Sequence, residues 1–341
     1  MTKNATKRIN LGLQGGGAHG AYTWGVLDRL LEDERIEIAA MSGTSAGAMN
    51  GAAVKSGWVA DGRDGARERL NWLWGQMGAV NDLRWPAWFG LDLPSAELSR
   101  AVSFSPPFLM ADAVSRAVSP YVYGPFYSNP LRPVAEAFEY DKICSEAGPA
   151  LFVGATNVKT GKIRVFKDNE ISTDVLLASA CLPTMFQAVE IGGEHYWDGG
   201  YTGNPALFPL FRPDFPRDIV VININPLERD AVPRSAQDIQ NRINEISFNS
   251  SLLRELRAIS FAQRLLDEGA MPGGAMKRVL IHMIADDELM RDLSVATKMV
   301  PVPALLRRLK EAGRAAAEEF LAAHFDDLGE RDTINLAEMF S

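Results

Sequence analysis

The chain has 341 residues, 47% hydrophobic and 23% charged, enough apolar material for one large α/β domain or about two average ones. A formal net charge of −8 and the lack of any long Lys/Arg run argue against nucleic acid as a partner and against broad electrostatic docking on anionic lipid. Cys144 and Cys181, the two cysteines, make neither a disulfide framework nor a zinc site, no calcium loop of alternating acids occurs, and no metal or cofactor is expected.

The opening MTKNATKRIN is polar and has no signal-peptide pattern, and no run of 18 apolar residues follows. A cytoplasmic protein is expected, peripheral at a membrane at most, with any such contact transient and made by an apolar patch or a local basic cluster. Arg8–Gln14 reads as a buried strand and Gly20–Leu31 as a helix with Trp24, Leu27 and Leu31 on one face. Ile36–Met41 reads as a second strand, running into Gly43-Thr44-Ser45-Ala46-Gly47, and Ala46–Lys55 as a packed helix. This alternation predicts a parallel sheet with helices on its faces. A helix is expected over Arg67–Met77. From Leu83 to Tyr127, prolines break the pattern and aromatic residues interleave, among them Trp85, Trp88, Phe104, Tyr121 and Tyr123, as in an insertion of loops and short helices over the sheet. Strands return at Leu151–Thr156, Lys162–Phe166, Ile219–Asn225 and Arg278–Ile284. A long helix is expected over Ala236–Asp267, with Ile239, Ile243, Ile246, Leu253 and Leu256 on one face, and a closing helix over Pro303–Phe325.

Gly15-x-Gly17-x-x-Gly20 follows a strand and opens a helix, the layout of a dinucleotide-binding turn. That use needs an acid at the carboxyl end of the second strand, whereas Glu37 stands at its beginning. The carboxyl end carries Gly43-x-Ser45-x-Gly47 instead, at a strand-to-helix turn where a nucleophile elbow belongs. In a parallel sheet the loops after neighbouring strands meet at one edge, so Gly15, Gly16 and Gly17 can present amides to an oxyanion formed at Ser45. The four histidines, His19, His195, His282 and His324, offer no clear base: His282 falls in a strand and His324 near a helix end. Trp197-Asp198-Gly199-Gly200-Tyr201 is a turn that can present a carboxylate.

In that order, Gly15-Gly16-Gly17-Ala18-His19-Gly20, Gly43-Thr44-Ser45-Ala46-Gly47 and Asp198-Gly199-Gly200 resemble the three signature blocks of the patatin-like phospholipases, with weaker support from Ala178-Ser179-Ala180-Cys181-Leu182-Pro183 and Asn204-Pro205. The resemblance spans residues 8–225. It implies a three-layer α/β/α sandwich with a mostly parallel central sheet, and a Ser–Asp dyad without a catalytic histidine. Carried over, Ser45 is the nucleophile, Asp198 the proton acceptor and Gly15–Gly17 the oxyanion hole, with Gly20, Gly43, Gly47, Gly199 and Gly200 supporting. The activity implied is hydrolysis of acyl esters, phospholipid, lysophospholipid or other, through an acyl-enzyme; a non-lipid esterase is the alternative within the class, and a nucleotide-binding protein or a lipid-binding scaffold outside it. One domain over 1–341 is expected, with an insertion or lid near 83–130 and a helical part over 235–341. His19 stands where the family usually has Arg or Lys, so anchoring of the loop is expected to come from protonated His19 or from a hydrogen bond. Asp198 needs a raised pKa to act as a base near neutrality, and partial burial is expected for it.

Overall fold

Buried apolar side chains alternate along the strands, and the alternation sorts the interior into two layers. The structure, a computed structural model, describes residues 6–78, 93–270, 272, 274 and 276–340. One sheet contains β1 (Lys7–Leu13), β2 (Ile36–Thr44), β3 (Ala150–Asn157), β4 (Ile163–Lys167), β5 (Val189–Ile191), β6 (Glu194–Asp198), β7 (Asp218–Ile222) and β8 (Leu280–Ile284). On one face Leu11, Leu13, Met41, Val153, Val220 and Ile222 join one core, and on the other Ala40, Phe152, Ile219 and Val221 join a second. Strands buried on both faces carry continuous apolar runs, as parallel sheets covered on both sides do.

The helices are α1 (Gly20–Glu32), α2 (Ala46–Met77), α3 (Ser95–Ser103), α4 (Pro106–Ala117), α5 (Arg132–Glu136), α6 (Tyr140–Ile143), α7 (Thr173–Ser179), α8 (Ala236–Asp267), α9 (Asp287–Arg291), α10 (Val295–Met299), α11 (Pro303–His324) and α12 (Leu336–Met339). Helices α1, α2, α7 and α11 cover the first face, and Leu252, Leu256 and Ile259 of α8 the second. This is the three-layer α/β/α arrangement with a mostly parallel sheet.

The strand order is β5-β6-β3-β2-β1-β7-β8, with β4 paired to β3 off this path. Pairs β1–β2, β2–β3, β1–β7 and β7–β8 are parallel; β3–β4, β3–β6 and β5–β6 are antiparallel. The antiparallel edge fits the expected mostly parallel sheet. Within it, Gly192 (φ 61) and Gly193 (φ 81) form a two-residue turn between β5 and β6, and such turns join antiparallel neighbours.

Two expected helices are confirmed as parts of α2, which breaks at Asp61 (φ −153) and Gly62 (φ 57). Helix α8 departs from its expected face in its first half, although Leu256 of that face is buried. Ile239, Ile243 and Ile246 are 43%, 54% and 54% exposed, and the buried stripe runs through Glu245, Phe248, Asn249, Leu252, Leu256 and Ile259. Here the first half of the helix packs on polar groups of the site described below, so apolar periodicity alone misplaced its inner face. In the insertion, α4 buries none of its residues, while Trp72 packs edge-on to Phe138 and Trp74 is buried. Trp85 and Trp88 lie outside the described residues. No helix of the described residues is long and apolar enough to cross a membrane.

Asp28 joins three helices on the first face. Its buried carboxylate in α1 accepts from Arg67 of α2 at 2.9 Å and from Arg314 of α11, with Glu32 taking further bonds from both arginines. Asp28→Ala leaves these guanidinium groups facing a methyl. Because they are about one-third exposed, the expected cost is roughly 2–3 kcal/mol, below that of a fully buried pair. It should appear as a lower urea midpoint with unchanged slope; an unmoved midpoint would mean solvent already screens the network.

Candidate active site

Strand β2 ends at Thr44, and α2 begins at Ala46, so Ser45 alone makes the reversal between them. It does so at φ 54, ψ −123, a region that side chains rarely occupy and that stores strain of order 1–3 kcal/mol. Three bonds hold the turn. The Ser45 amide donates to Ser179 Oγ at 2.9 Å, the Ser179 hydroxyl donates to the Gly154 carbonyl at 2.6 Å, and the Ser45 carbonyl accepts from Met49 N–H at 3.1 Å. Ser45 therefore sits at the α2 N-terminus, where unpaired amides favour negative charge.

Asp198 reaches the same place from the far side of the sheet. Strand β3 pairs with β2 from Ala150 to Gly154, the last pair being Gly154 with Thr44. Beyond it, Ala155 and Thr156 pair with β4 on one edge and with β6 on the other, so β6 occupies the edge that β2 has just left. Asp198 is opposite Ala155, one position past the residue opposite Thr44. Its backbone is fixed by Asp198 N–H to the Cys181 carbonyl at 2.8 Å and by the Thr156 hydroxyl to the Asp198 carbonyl at 2.8 Å.

The Asp198 side chain is 1% exposed, a fuller burial than the partial one expected. Burial pushes its pKa up to about 7, against the opposing pull of the Gly200 amide and the Ser45 hydroxyl. Oδ1 accepts from Gly200 N–H at 2.7 Å, whereas Oδ2 has no partner of hydrogen-bond length. Ser45 is thus near enough to influence the carboxyl group, with no closed bond between them.

The glycine loop comes from β1, whose Leu13 is opposite Gly43 in β2, so the two following loops advance side by side. A Cβ on Gly15 would stand 2.7 Å from the Thr44 carbonyl and 2.8 Å from Ser45 Cβ, which only glycine avoids. Gly15 itself is a correction to the expected oxyanion hole: its N–H donates to Asn204 Oδ1 at 2.6 Å and is not free for a substrate. Gly16 and Gly17 line the cavity beside Ser45, and no acceptor engages their amides among the described residues. Gly17 has φ 58, and its outer side abuts the Lys298 carbonyl of α10. Gly20, Gly43, Gly47, Gly199 and Gly200 stand at packing contacts with no room for a side chain.

His19 does not supply a cation. It is buried beneath the loop, and burial and then the neighbouring Lys298 charge hold its pKa well below the ordinary imidazole value. Of the two expected anchoring modes the hydrogen bond is present, with His19 Nε2 2.9 Å from Thr297 Oγ1. His282 pairs with buried Asp218, and no histidine lines the cavity.

The cavity over Ser45 and Asp198 measures ≈ 210 Å³. Met49, Leu73, Trp74 and Met77 of α2 and Leu131 line it with apolar surface; α8 contributes Asn244 and Phe248, and α10 Val295, Lys298 and Met299. A larger open cleft of ≈ 1280 Å³, between the end of α8 and residues 331–340, contains none of these groups. Residues that sequence reasoning quoted without a role, Ser179 and Asn204, prove to hold Ser45 and Gly15. Asn225, which donates to the Gly15 carbonyl at 3.0 Å, was legible only as the end of a strand, and Lys298 had no local signal.

Among curated proteins none matches the chain. Among solved structures the chain is similar to VipD from Legionella pneumophila, at 15% identity and a TM-score of 0.42, over 94% of this chain and 67% of that one. The family model described as patatin-like phospholipase matches residues 11–211, more than half of the 341 residues, and the chain belongs to that family.

Proposed function

We propose that the chain is a lipid acyl hydrolase that cleaves carboxylic esters through Ser45 and Asp198. The observation that carries this reading is the buried Asp198 carboxylate, one oxygen unbonded, at the edge position that continues from Ser45. The Ser45 hydroxyl attacks the ester carbonyl as its proton passes to Asp198. The amides of Gly16 and Gly17 receive the carbonyl oxygen as it becomes an oxyanion; each such donor is worth about 3 kcal/mol in comparable sites. Collapse of the intermediate returns the proton to the leaving alkoxide and leaves an acyl-Ser45. Water then attacks the acyl carbon, with Asp198 taking its proton; the bond to Ser45 Oγ breaks, Asp198 returns the proton to that oxygen, and the fatty acid departs. The acyl chain lies along the apolar α2 wall. The reading takes residues 1–341 as one catalytic unit, since groups from Gly16 to Pro301 line one cavity.

Ser45→Ala and Asp198→Asn should each lower kcat/KM on p-nitrophenyl esters by about a thousandfold or more, because members of one catalytic unit fail together. Retained activity in Asp198→Asn would point to a different base. With a neutral ester, wild-type kcat/KM should rise with pH and level off above a midpoint near 7, since only ionised Asp198 accepts the proton. A midpoint near 4 would refute its burial.

The same shift has a stability signature. Between the unfolded pKa of 3.8 and the folded value of about 7 the folded state retains a proton that the unfolded state releases, so this group's contribution falls as pH rises and reaches a cost on the order of 4 kcal/mol above 7. Asp198→Asn should therefore resist urea better than wild type at pH 8, with the gap closing towards pH 4. A gap independent of pH would show that ionisation is not its source.

A further inference from the structure

Lys298 is an unusual group for the wall of an acyl pocket. Its Nζ donates to Asn225 Oδ1 at 2.7 Å and to Asn244 Oδ1 at 3.3 Å, and it stands 5.9 Å from the centre of the Phe248 ring. Both partners are neutral. The acid that acts on it most, Glu245, already pairs with Arg229 and Arg242. No ion pair to Lys298 forms among the described residues. Burial lowers its pKa to about 8, so the ammonium form still predominates at pH 7. The residue as a whole keeps some exposure, but its ammonium has no counter-ion, and an incoming anion would supply one.

The cavity is also asymmetric. The α2 lining is apolar and suits an acyl chain, while Asn244 and Lys298 are the polar side chains that α8 and α10 contribute, among Phe248, Val295 and Met299, and the Lys298 backbone abuts Gly17. With the scissile carbonyl at the glycine loop and the chain along α2, the alcohol part of the ester is directed towards α8 and α10.

The geometry points to Lys298 as a specificity-determining residue, whose ammonium takes an anionic group of the phosphate class on the alcohol side of the ester. This rests on the hydrolase reading above for the orientation of the ester. Lys fits such a group as a point charge with three rotatable donors. A purely structural role is the competing account: Lys298 holds Asn225, which in turn holds Gly15. That role would affect every ligand alike, whereas an anion subsite discriminates between them.

The test measures calorimetric binding of dodecyl phosphate, dodecanol and dodecanoate to protein carrying Ser45→Ala, with Lys298 intact, Lys298→Gln or Lys298→Arg. Dodecyl phosphate should bind tighter than dodecanol, and Lys298→Gln should reduce that preference by about tenfold or more, with Lys298→Arg restoring most of it. No preference for the phosphate in the Lys298-intact protein overturns the inference, even where Lys298→Gln does not fold. So does an equal loss for phosphate and alcohol, which would leave only the structural role. Dependence on Lys298 for dodecanoate but not for dodecyl phosphate would place the product carboxylate there instead. In parallel, the ratio of kcat/KM for a monoacylglycerol phosphate to that for the matched monoacylglycerol should fall by a similar factor in Lys298→Gln. If wild type hydrolyses neither ester, the hydrolase reading fails, and the binding series still decides the subsite.

Discussion

Strand β2 ends at Thr44 while its neighbour β3 runs on to Asn157, and the place of Asp198 beside Ser45 depends on what fills the edge left open. A parallel partner could not begin there without displacing the Ser45 turn. An antiparallel strand can, since it approaches from the opposite direction and ends where β2 ended. Strand β6 does this, and its last residue is Asp198. Ser45 and Asp198 are thus brought together by backbone ladders, which are stiffer than any pair of side chains. A buried carboxylate with an unsatisfied oxygen is a poor feature for stability, and a serine at positive φ is another. The fold tolerates both because the surrounding ladders and the Ser179 bridge fix their positions.

A second layer of constraint lies beneath the glycine loop. Gln14 Oε1 accepts from the Ile224 and Asn225 amides and from Asn225 Nδ2, while its own amide donates to Asn249. Asn204 and Asn225 both bond Gly15. Gln14, Asn204, Asn225 and Asn249 are all buried. Such a network of neutral amides satisfies a loop that lacks regular secondary structure, and Lys298 joins it through Asn225. It also explains why the inner face of α8 is polar in its first half. Asn249 belongs to this network, and the apolar isoleucines expected on that face are turned outward instead.

Much of the site was legible in the sequence because its signals are local. Gly43-x-Ser45-x-Gly47 at a strand-to-helix turn, and the glycines after β1, each report a backbone that side chains would obstruct. Their meeting followed from parallel neighbours. Other features depend on contacts far apart in the chain. Gly192-Gly193 could have revealed a hairpin, and with it that Asp198 ends a strand and is not merely part of a turn. The engagement of the Gly15 amide by Asn204 crosses 189 positions, and no period or motif marks it. Lys298 lies in a five-residue helix with no pattern of its own, although it stands against the glycine loop. The neutrality of His19 follows only from the burial and the nearby cation that tertiary packing creates.

The cavity wall formed by α8 and α10 comes from residues beyond 211, where the segment matched by the family model ends. The turn, the loop and the carboxylate are therefore encoded in one stretch of chain, and the α8–α10 part of their surroundings in another. Separate stretches can diverge at separate rates. Replacement of the last hundred or so residues by those of a relative would exchange Asn244, Phe248 and Lys298 together and leave the Ser45 turn and β6 untouched. Under the proposed hydrolase reading, the cavity is in that sense modular, its α8–α10 side open to recombination apart from the Ser45 turn.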